Sequence, residues 1–135
     1  MFKLGGKRPA NLGSKNGKLA PVVKKPNNVS SQADVSDRAH YVAPLKFTGE
    51  AEVAFQKLLK LVQSQPRAIV VTQDGKYLHA EFSSPLMGFV DDVEFLLAPE
   101  QRLIHVRSAA RLGYSDFNVN RKRAESLRAL FEGRS

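Results

Sequence analysis

The first clear hydrophobic pattern along the chain predicts a strand followed by a helix. The segment HYVAPLKF, residues 40–47, is rich in β-forming side chains, and Pro44 favours a position at the edge of a sheet. After Thr48 and Gly49, apolar side chains recur at helical spacing until Pro66. They form one face of the helix: Ala51, Phe55, Leu58, Leu59 and Val62.

The next pattern predicts a β-hairpin. Residues 67–73 and 76–83 flank Asp74 and Gly75, a pair typical of a two-residue type I′ turn. Because side chains alternate between the two faces of a strand, the turn also predicts which residues share a face. The predicted pairs are Gln73 with Lys76, Thr72 with Tyr77, Val71 with Leu78, Val70 with His79, and Ile69 with Ala80.

A second hairpin is predicted for residues 89–97 and 102–109, joined by a four-residue loop at 98–101. If Leu97 opposes Arg102, one face of this hairpin is apolar and the other is charged. The predicted apolar pairs are Val93 with Val106 and Phe95 with Ile104, and the charged pairs are Asp92 with Arg107 and Glu94 with His105.

The last pattern predicts a C-terminal helix that ends near Gly133, with Ala124, Leu127, Leu130 and Phe131 as its apolar stripe. The order of elements is then β-α-β-β-β-β-α. This order predicts an α+β fold, in which an antiparallel sheet of about five strands carries both amphipathic helices on one face.

Composition narrows the class of protein. Among 135 residues there is no cysteine, which excludes disulfides, thiolate metal sites and a cysteine nucleophile. No apolar run reaches the roughly 20 residues of a membrane-spanning helix, and the N-terminus lacks the apolar core of a secretory signal. We therefore expect a cytoplasmic protein, with peripheral membrane contact as an alternative. We predict no cofactor and no metal, because His40, His79 and His105 lie far apart in sequence.

The formal net charge of +8 is concentrated at the N-terminus. Residues 1–27 contain seven of the 21 lysines and arginines and no acid, whereas the rest of the chain is nearly neutral. We predict that residues 1–33 form a basic disordered tail and that residues 34–135 form a single α+β domain. Residues 1–27 could bind an anionic membrane or nucleic acid, or could serve only as a solubilising arm.

The face of the sheet away from the helices is predicted to be polar, with Thr72, Tyr77, His79, Glu81, Asp92, Glu94, His105 and Arg107. The simplest interpretation is a solvated face with cross-strand ion pairs. A shallow partner or homodimer surface that also uses Leu96 and Leu103 is the functional alternative. Asp92 and Glu94 also have the spacing of an acid and base pair in a hydrolase, although such pairs are far more often plain surface carboxylates.

Asp91 is predicted to point the other way, towards the helices, where Arg111, Arg121 or a helix end would have to pair with it. The loop between residues 107 and 123 precedes the last helix and contains three candidate caps, Asp116, Asn118 and Asn120. Arg107, Arg111 and Arg121 could build an anion site there with the helix N-terminus, or could pair with the aspartates as a structural tether.

Several separate motifs resemble one family. PNNVSSQ (26–32), YVAPLKF (41–47), GFVDDVEFLL (88–97), IHVRSAARLGYSDFNVNRKR (104–123) and the following helix are similar to the domain-of-unknown-function family 1499. The resemblance covers roughly residues 26–131. It implies a small bacterial and plastid domain without an established activity, often preceded in other members by a secretory, lipoprotein or membrane segment.

The family's polar positions map onto this sequence without implying a catalytic role. They are Ser30, Ser31, Asp91, Asp92, Glu94, Arg107, Ser108, Arg111, Gly113, Ser115, Asp116, Asn120 and Arg121. This chain departs from the family at Asn28, where many members have cysteine, at Ala110, where serine is usual, and at Asn118, where glycine is usual.

Together these observations predict a binding module rather than an enzyme. Its polar site would take an anionic or carbonyl-bearing ligand or a partner peptide. The alternatives are an adaptor whose basic tail binds membrane or nucleic acid, and a small hydrolase or isomerase that uses Asp91 or Asp92. The predicted ligand-binding residues are Ser30, Ser31, Asp91, Asp92, Arg107, Ser108, Arg111, Ser115, Asp116, Asn120 and Arg121.

Overall fold

A computed structural model describes residues 6–86 and 88–133. In chain order the elements are β1 (Asn28–Ser30), β2 (Leu45–Lys46), α1 (Ala51–Gln63), β3 (Ala68–Gln73), β4 (Tyr77–Ser83), β5 (Val90–Ala98), a 3₁₀ turn (Pro99–Gln101), β6 (Leu103–Ala110) and α2 (Val119–Phe131). No helix within these ranges is long and apolar enough to cross a membrane.

The six strands form one antiparallel sheet in the order β1-β6-β5-β4-β3, and β2 also pairs with β6. The α+β prediction is confirmed, with β1 as an extra short strand. The predicted edge strand at 40–47 is reduced to the two residues of β2.

Both helices cover the same face of the sheet and enclose the core. The predicted apolar face of α1 is buried apart from Ala51, and α2 buries Ala124, Leu127 and Phe131. Leu130, predicted to lie in the same stripe, is half exposed. The sheet contributes large side chains such as Phe95 and Ile104 to this core.

The register of the first hairpin differs from the prediction by two residues next to the turn and by one residue beyond a β-bulge. Gln73 pairs with Leu78 instead of Lys76, and beyond a β-bulge between Val70 and Thr72 the partner of Val70 is Ala80 instead of His79. The turn is longer because the Asp74 carboxylate accepts the backbone N–H groups of Lys76 and Tyr77, at 2.8 and 2.7 Å. Val70, not Val71 or Ile69, therefore packs against the core.

The second hairpin is shifted from the predicted register by two residues. Leu97 pairs with Ile104, Phe95 with Val106 and Glu94 with Arg107, because the 3₁₀ turn and a left-handed Arg102 (φ 55°) occupy the loop. A shift of two leaves every side chain on its predicted face. The predicted apolar and polar faces are correct, but Asp92 does not oppose Arg107, and Glu94 does not oppose His105.

The boundary predicted at residue 33 is corrected by β1. Asn28, Val29 and Ser30 pair with β6 and are buried, so at least these residues of the predicted disordered tail belong to the sheet. A strand of three residues is too short to show an alternating pattern, so no local pattern predicts β1.

The residues before β1 also contact the sheet. We refer to residues 6–22 as the N-terminal segment. Leu19 is buried against Tyr77 and Leu96 on the face opposite the helices. The part of the predicted tail at residues 1–5 lies outside the described residues.

Candidate functional site

A cleft of about 560 Å³ opens at one edge of the helix layer. It lies between the β4–β5 connection, the start of β5, the loop before α2 and α2 itself. Its walls are mainly apolar, and its volume is in the range of small-molecule sites. The residues that line it include Phe82, Phe89, Val90, Asp91, Leu112, Ser115, Asp116, Phe117, Val119, Arg123, Ser126 and Leu127.

An ion pair lies among the cleft's apolar side chains. Asp91 projects from β5 towards the helices, as its alternation predicted, and accepts a hydrogen bond from Nη1 of Arg123 at 2.8 Å. Arg123 also donates to Oδ1 of Asn120 at 3.1 Å, and its guanidinium stacks over the Phe82 ring at 5.0 Å. The partner of Asp91 is thus Arg123, and neither Arg111 nor Arg121, the two candidates predicted from sequence.

Burial raises the pKa of Asp91 above its usual value, and the Arg123 guanidinium only partly opposes this effect. Asp116 and Asp92 raise the pKa further through like-charge repulsion. The cleft therefore contains a carboxyl group that gains a proton more readily than an ordinary aspartate.

The loop before α2 shapes the rim of the cleft. Asp116 accepts the backbone N–H of Asn118 (2.9 Å) and both the backbone N–H and the side-chain amide of Asn120 (3.1 and 2.8 Å). Asp116 therefore caps the helix start, as predicted. Phe117 and Asn118 both have positive φ, which turns the Phe117 side chain out to 87% exposure beside the opening.

Behind the cap, a buried polar contact fixes α2 to the sheet. The hydroxyl of Ser108 on β6 donates to Oδ1 of Asn120 at 2.5 Å, and the Asn120 amide donates to the carbonyl of Asn27 at 3.3 Å. Ser108 and Asn120 are both fully buried. They fix α2 to the sheet next to the cleft and do not line its surface.

The opposite face of the sheet carries a second polar cluster, which the N-terminal segment covers. Glu94 is fully buried and accepts hydrogen bonds from Arg107 (Nη1, 3.0 Å), the Tyr77 hydroxyl and the backbone N–H of Gly13 (2.8 Å). Burial, reinforced by Glu94, raises the pKa of Tyr77, so this phenol stays protonated. The simplest sequence interpretation, a solvated face, is wrong here.

The same cluster continues along β4 and β5. Arg111 donates to both oxygens of Asp92 at 2.8 Å and to Glu81 at 2.5 Å, while the His79 ring lies 2.7 Å from Asp92. Burial would raise the pKa of Asp92, but Arg111 and His79 outweigh burial and hold it below its usual value. Arg8 of the N-terminal segment completes the cluster with Glu81.

Three of these residues also satisfy a simple distance criterion for metal binding. His79, Glu81 and Asp92 each offer one ligand atom within 4.8 Å of the others. Arg111 already places a positive charge between the two carboxylates, so the group is satisfied as an ion-pair network. That the histidines are not metal ligands stays a prediction.

The predicted site residues therefore fall into separate places. Asp91, Ser115 and Asp116 line the cleft, with Ser108 and Asn120 behind it. Asp92, Arg107 and Arg111 lie on the opposite face, which corrects the idea of one anion site built by three arginines. Asp91 and Asp92 lie on opposite faces of the sheet. Asp92 and Glu94, the suggested acid and base pair, are each bound to an arginine.

The remaining predicted residues have structural contacts elsewhere. Arg121 donates to the carbonyls of Tyr41 and Arg38 at 2.9 and 2.8 Å. Ser31 accepts the N–H of Val106 at 2.9 Å and lies 3.0 Å from Nδ1 of His105, whose pKa burial lowers. Ser30 accepts the N–H of Gln32 at 3.0 Å.

Sequence reasoning missed Arg123 and the aromatic residues of the cleft. Arg123 lies one helical turn after Asn120, on the helix face next to the buried Ala124, and this position could have suggested a contact with the sheet. Nothing comparable marked Phe89 and Phe117, because exposed aromatic residues in loops have no periodicity.

Comparison with known proteins identifies a family that this chain matches. The family described as "Protein of unknown function (DUF1499)" matches residues 18–131, which include every strand and helix of the fold. No match was found among the curated proteins.

Proposed function

The chain belongs to the DUF1499 family, and from the geometry of its cleft we propose that it is a non-enzymatic binding domain for a small amphipathic molecule. The observation that carries the proposal is an apolar cleft of about 560 Å³ with one ion pair, Asp91 with Arg123, among its lining residues. Ligand sites commonly combine apolar walls with a few polar groups that fix orientation.

The charges in the cleft favour an uncharged polar end on the ligand. Arg67 and Arg123 are balanced by Asp91 and Asp116, so the charged side chains that line the cleft sum to zero. A strong anion would meet two carboxylates, whereas a carbonyl or hydroxyl group can bond to the ion pair without adding charge. Of the two ligand types expected from sequence, the carbonyl-bearing one is therefore the better match.

The rim of the cleft supports an apolar ligand body. Phe89, Leu112, Phe117 and Val119 line the opening and are all at least 44% exposed. Exposed apolar patches on soluble proteins commonly mark binding surfaces, because leaving them in water costs free energy. An apolar ligand that covers these side chains would remove that cost.

Binding of Nile red, an uncharged carbonyl-bearing dye, tests this proposal by fluorescence titration. Ser126 lies on the cleft wall and is exposed on α2, so Ser126→Trp should block the dye without disturbing the core. Glu125→Trp is the matched control, because Glu125 is the preceding residue of the same helix and does not line the cleft. We expect Ser126→Trp to abolish binding and Glu125→Trp to leave it unchanged.

The role of the ion pair is tested with a second matched pair. Arg123→Gln should weaken dye binding about tenfold, the value of one hydrogen bond to a charged group. Arg121→Gln should not change binding, because Arg121 bonds to Tyr41 and Arg38 away from the cleft. If these two variants and the two tryptophan variants all bound the dye equally, the cleft would not be the binding site.

A further inference from the structure

The N-terminal segment is held on the polar face of the sheet by a few separate anchors. Arg8 pairs with Glu81 at 2.7 Å, the N–H of Gly13 donates to Glu94 at 2.8 Å, and Leu19 packs on Tyr77 and Leu96. The Gln32 side chain adds two hydrogen bonds, donating to the carbonyl of Gly17 at 3.1 Å and accepting the N–H of Leu19 at 2.8 Å. Spaces of about 1020 and 700 Å³ lie along residues 10–22 and 14–18.

The segment and the face beneath it have complementary charge. Residues 6–22 contain four basic side chains and no acid. In the polar cluster below, three carboxylates face the guanidinium groups of Arg107 and Arg111, which leaves one net negative charge on these five side chains. The carboxylates are those of Glu81, Asp92 and Glu94. Arg8 supplies the missing positive charge.

The cluster is also incompletely satisfied with this segment in place. The Nε–H of Arg107 is buried and has no hydrogen-bond partner among the described residues. A buried donor without an acceptor is unfavourable, so an occupant that supplied a carbonyl oxygen at this point would bind more favourably. Arg107 Nε is the buried side-chain nitrogen of this cluster for which the described part of the chain provides no acceptor.

We propose that this polar face is a recognition groove for a basic, extended peptide segment of a partner protein, and that the chain's own N-terminal segment occupies it as a displaceable substitute. Three features define the partner's segment. It has a basic side chain for Glu81, a flexible glycine whose N–H reaches Glu94, and an apolar side chain for Tyr77 and Leu96.

The glycine requirement follows from backbone geometry. Gly13 has φ of 103°, a conformation that side-chain-bearing residues rarely adopt, and no atom would obstruct an added Cβ there. A substitution at this position is therefore disfavoured by backbone strain alone. This makes the glycine a specific test of how the segment is recognised.

The test uses the full chain and, as probe, a fluorescent peptide with the sequence of residues 6–22, GKRPANLGSKNGKLAPV. In the unaltered chain the resident segment should compete with the probe. In the variant Arg8→Gln/Leu19→Ser the resident segment loses two anchors. Probe affinity should then rise about tenfold or more, because apparent affinity scales with the fraction of open groove.

Matched variants separate recognition from general charge attraction. We call the Arg8→Gln/Leu19→Ser variant the loosened chain. In this chain, Glu81→Gln should weaken probe binding, whereas Glu100→Gln, at an exposed residue of the β5–β6 turn, should not. A probe with Gly13→Ala should bind several-fold more weakly, and a scrambled probe of equal charge should bind weakest. Val53→Ser, an exposed position on α1, controls for the added serine.

Several results would overturn the proposal. The first is that the loosened chain, with native circular dichroism, does not bind the probe. The second is that the scrambled probe binds as tightly as the unscrambled one. A concentration-dependent dimer of the loosened chain that excludes the probe would also overturn it, by assigning the groove to a second copy of this chain. Preferential binding of the unscrambled probe to a monomeric loosened chain would support it.

Discussion

Neighbouring aspartates on β5 experience opposite environments because a strand turns successive side chains to opposite faces. Asp91 lies towards the helices, where burial raises its pKa, and Asp92 lies in the arginine-rich cluster, where its pKa is lowered. One residue of spacing thus separates a carboxyl that resists ionisation from one that is held ionised.

This contrast predicts opposite effects of two isosteric substitutions on the free energy of unfolding. An acid whose folded pKa is raised stabilises the fold only at low pH, and its contribution is lost as pH rises through the folded pKa. Asp91→Asn should therefore become more stable relative to the parent as pH rises from about 3 to about 7. The amide oxygen that this substitution introduces can still accept the bond from Arg123.

For Asp92 the sign is reversed. An acid whose folded pKa is lowered contributes stability above its unfolded pKa, and this contribution disappears as pH falls through the folded pKa. Asp92→Asn should thus be less stable than the parent near neutral pH, and the difference should shrink in acid. Urea unfolding across this pH range measures both, and parallel pH profiles for the two variants would contradict the assigned environments.

At the scale of elements, the Asp74 carboxylate determines the length of the first turn. It accepts two backbone N–H groups, and the longer turn shifts the register by two residues relative to a two-residue type I′ turn. Asp74→Ala should lower the free energy of unfolding by about 1 kcal/mol, as for other lost side-chain caps.

Asp74→Asn is the matched comparison, because its amide oxygen can still accept both bonds. We expect it to retain most of the stability that Asp74→Ala loses in urea unfolding. Equal losses for the two variants would show that the negative charge, not the acceptor geometry, is what the turn requires.

The hairpins also show what strand patterns can and cannot predict. Alternation correctly placed Val93, Phe95, Ile104 and Val106 in the core, because a register error of two leaves every face unchanged. It failed for Ile69, because the bulge between Val70 and Thr72 reduces the register error from two residues to one, which reverses the faces of the residues beyond the bulge. Turn geometry depends on side-chain hydrogen bonds, and a dipeptide signal does not include them.

At the scale of the whole molecule, the candidate sites could be predicted only in part. Asp91 and Asp116 were found because a buried carboxylate and a helix cap have local sequence signals. The covering of the opposite face was not found, because composition alone makes residues 6–22 resemble a disordered tail. The contacts of Gly13 with Glu94 and of Arg8 with Glu81 join residues more than 70 positions apart, which no local pattern encodes.

These long-range contacts predict that the molecule opens in two stages. The N-terminal segment depends on one ion pair, a few hydrogen bonds and one buried leucine, whereas β5 lies between two paired strands in the core. Elements with few buried contacts open without global unfolding, and salt weakens the attraction between partly exposed charges. Amide hydrogen exchange at Gly13 should therefore accelerate when salt rises from about 0.05 M to about 0.5 M, while exchange at Phe95 should not.

Glu81→Gln removes the carboxylate that pairs with Arg8 and should reproduce the salt effect on Gly13 at low salt. In that variant, added salt should have little further effect on Gly13, because the charge pair that it screens is already gone. Exchange at Gly13 and Phe95 that responds to salt in parallel would instead mean that segment and sheet open as one cooperative unit. In that case the segment would be a permanent part of the fold, since a displaceable occupant must leave the groove without unfolding the sheet beneath it.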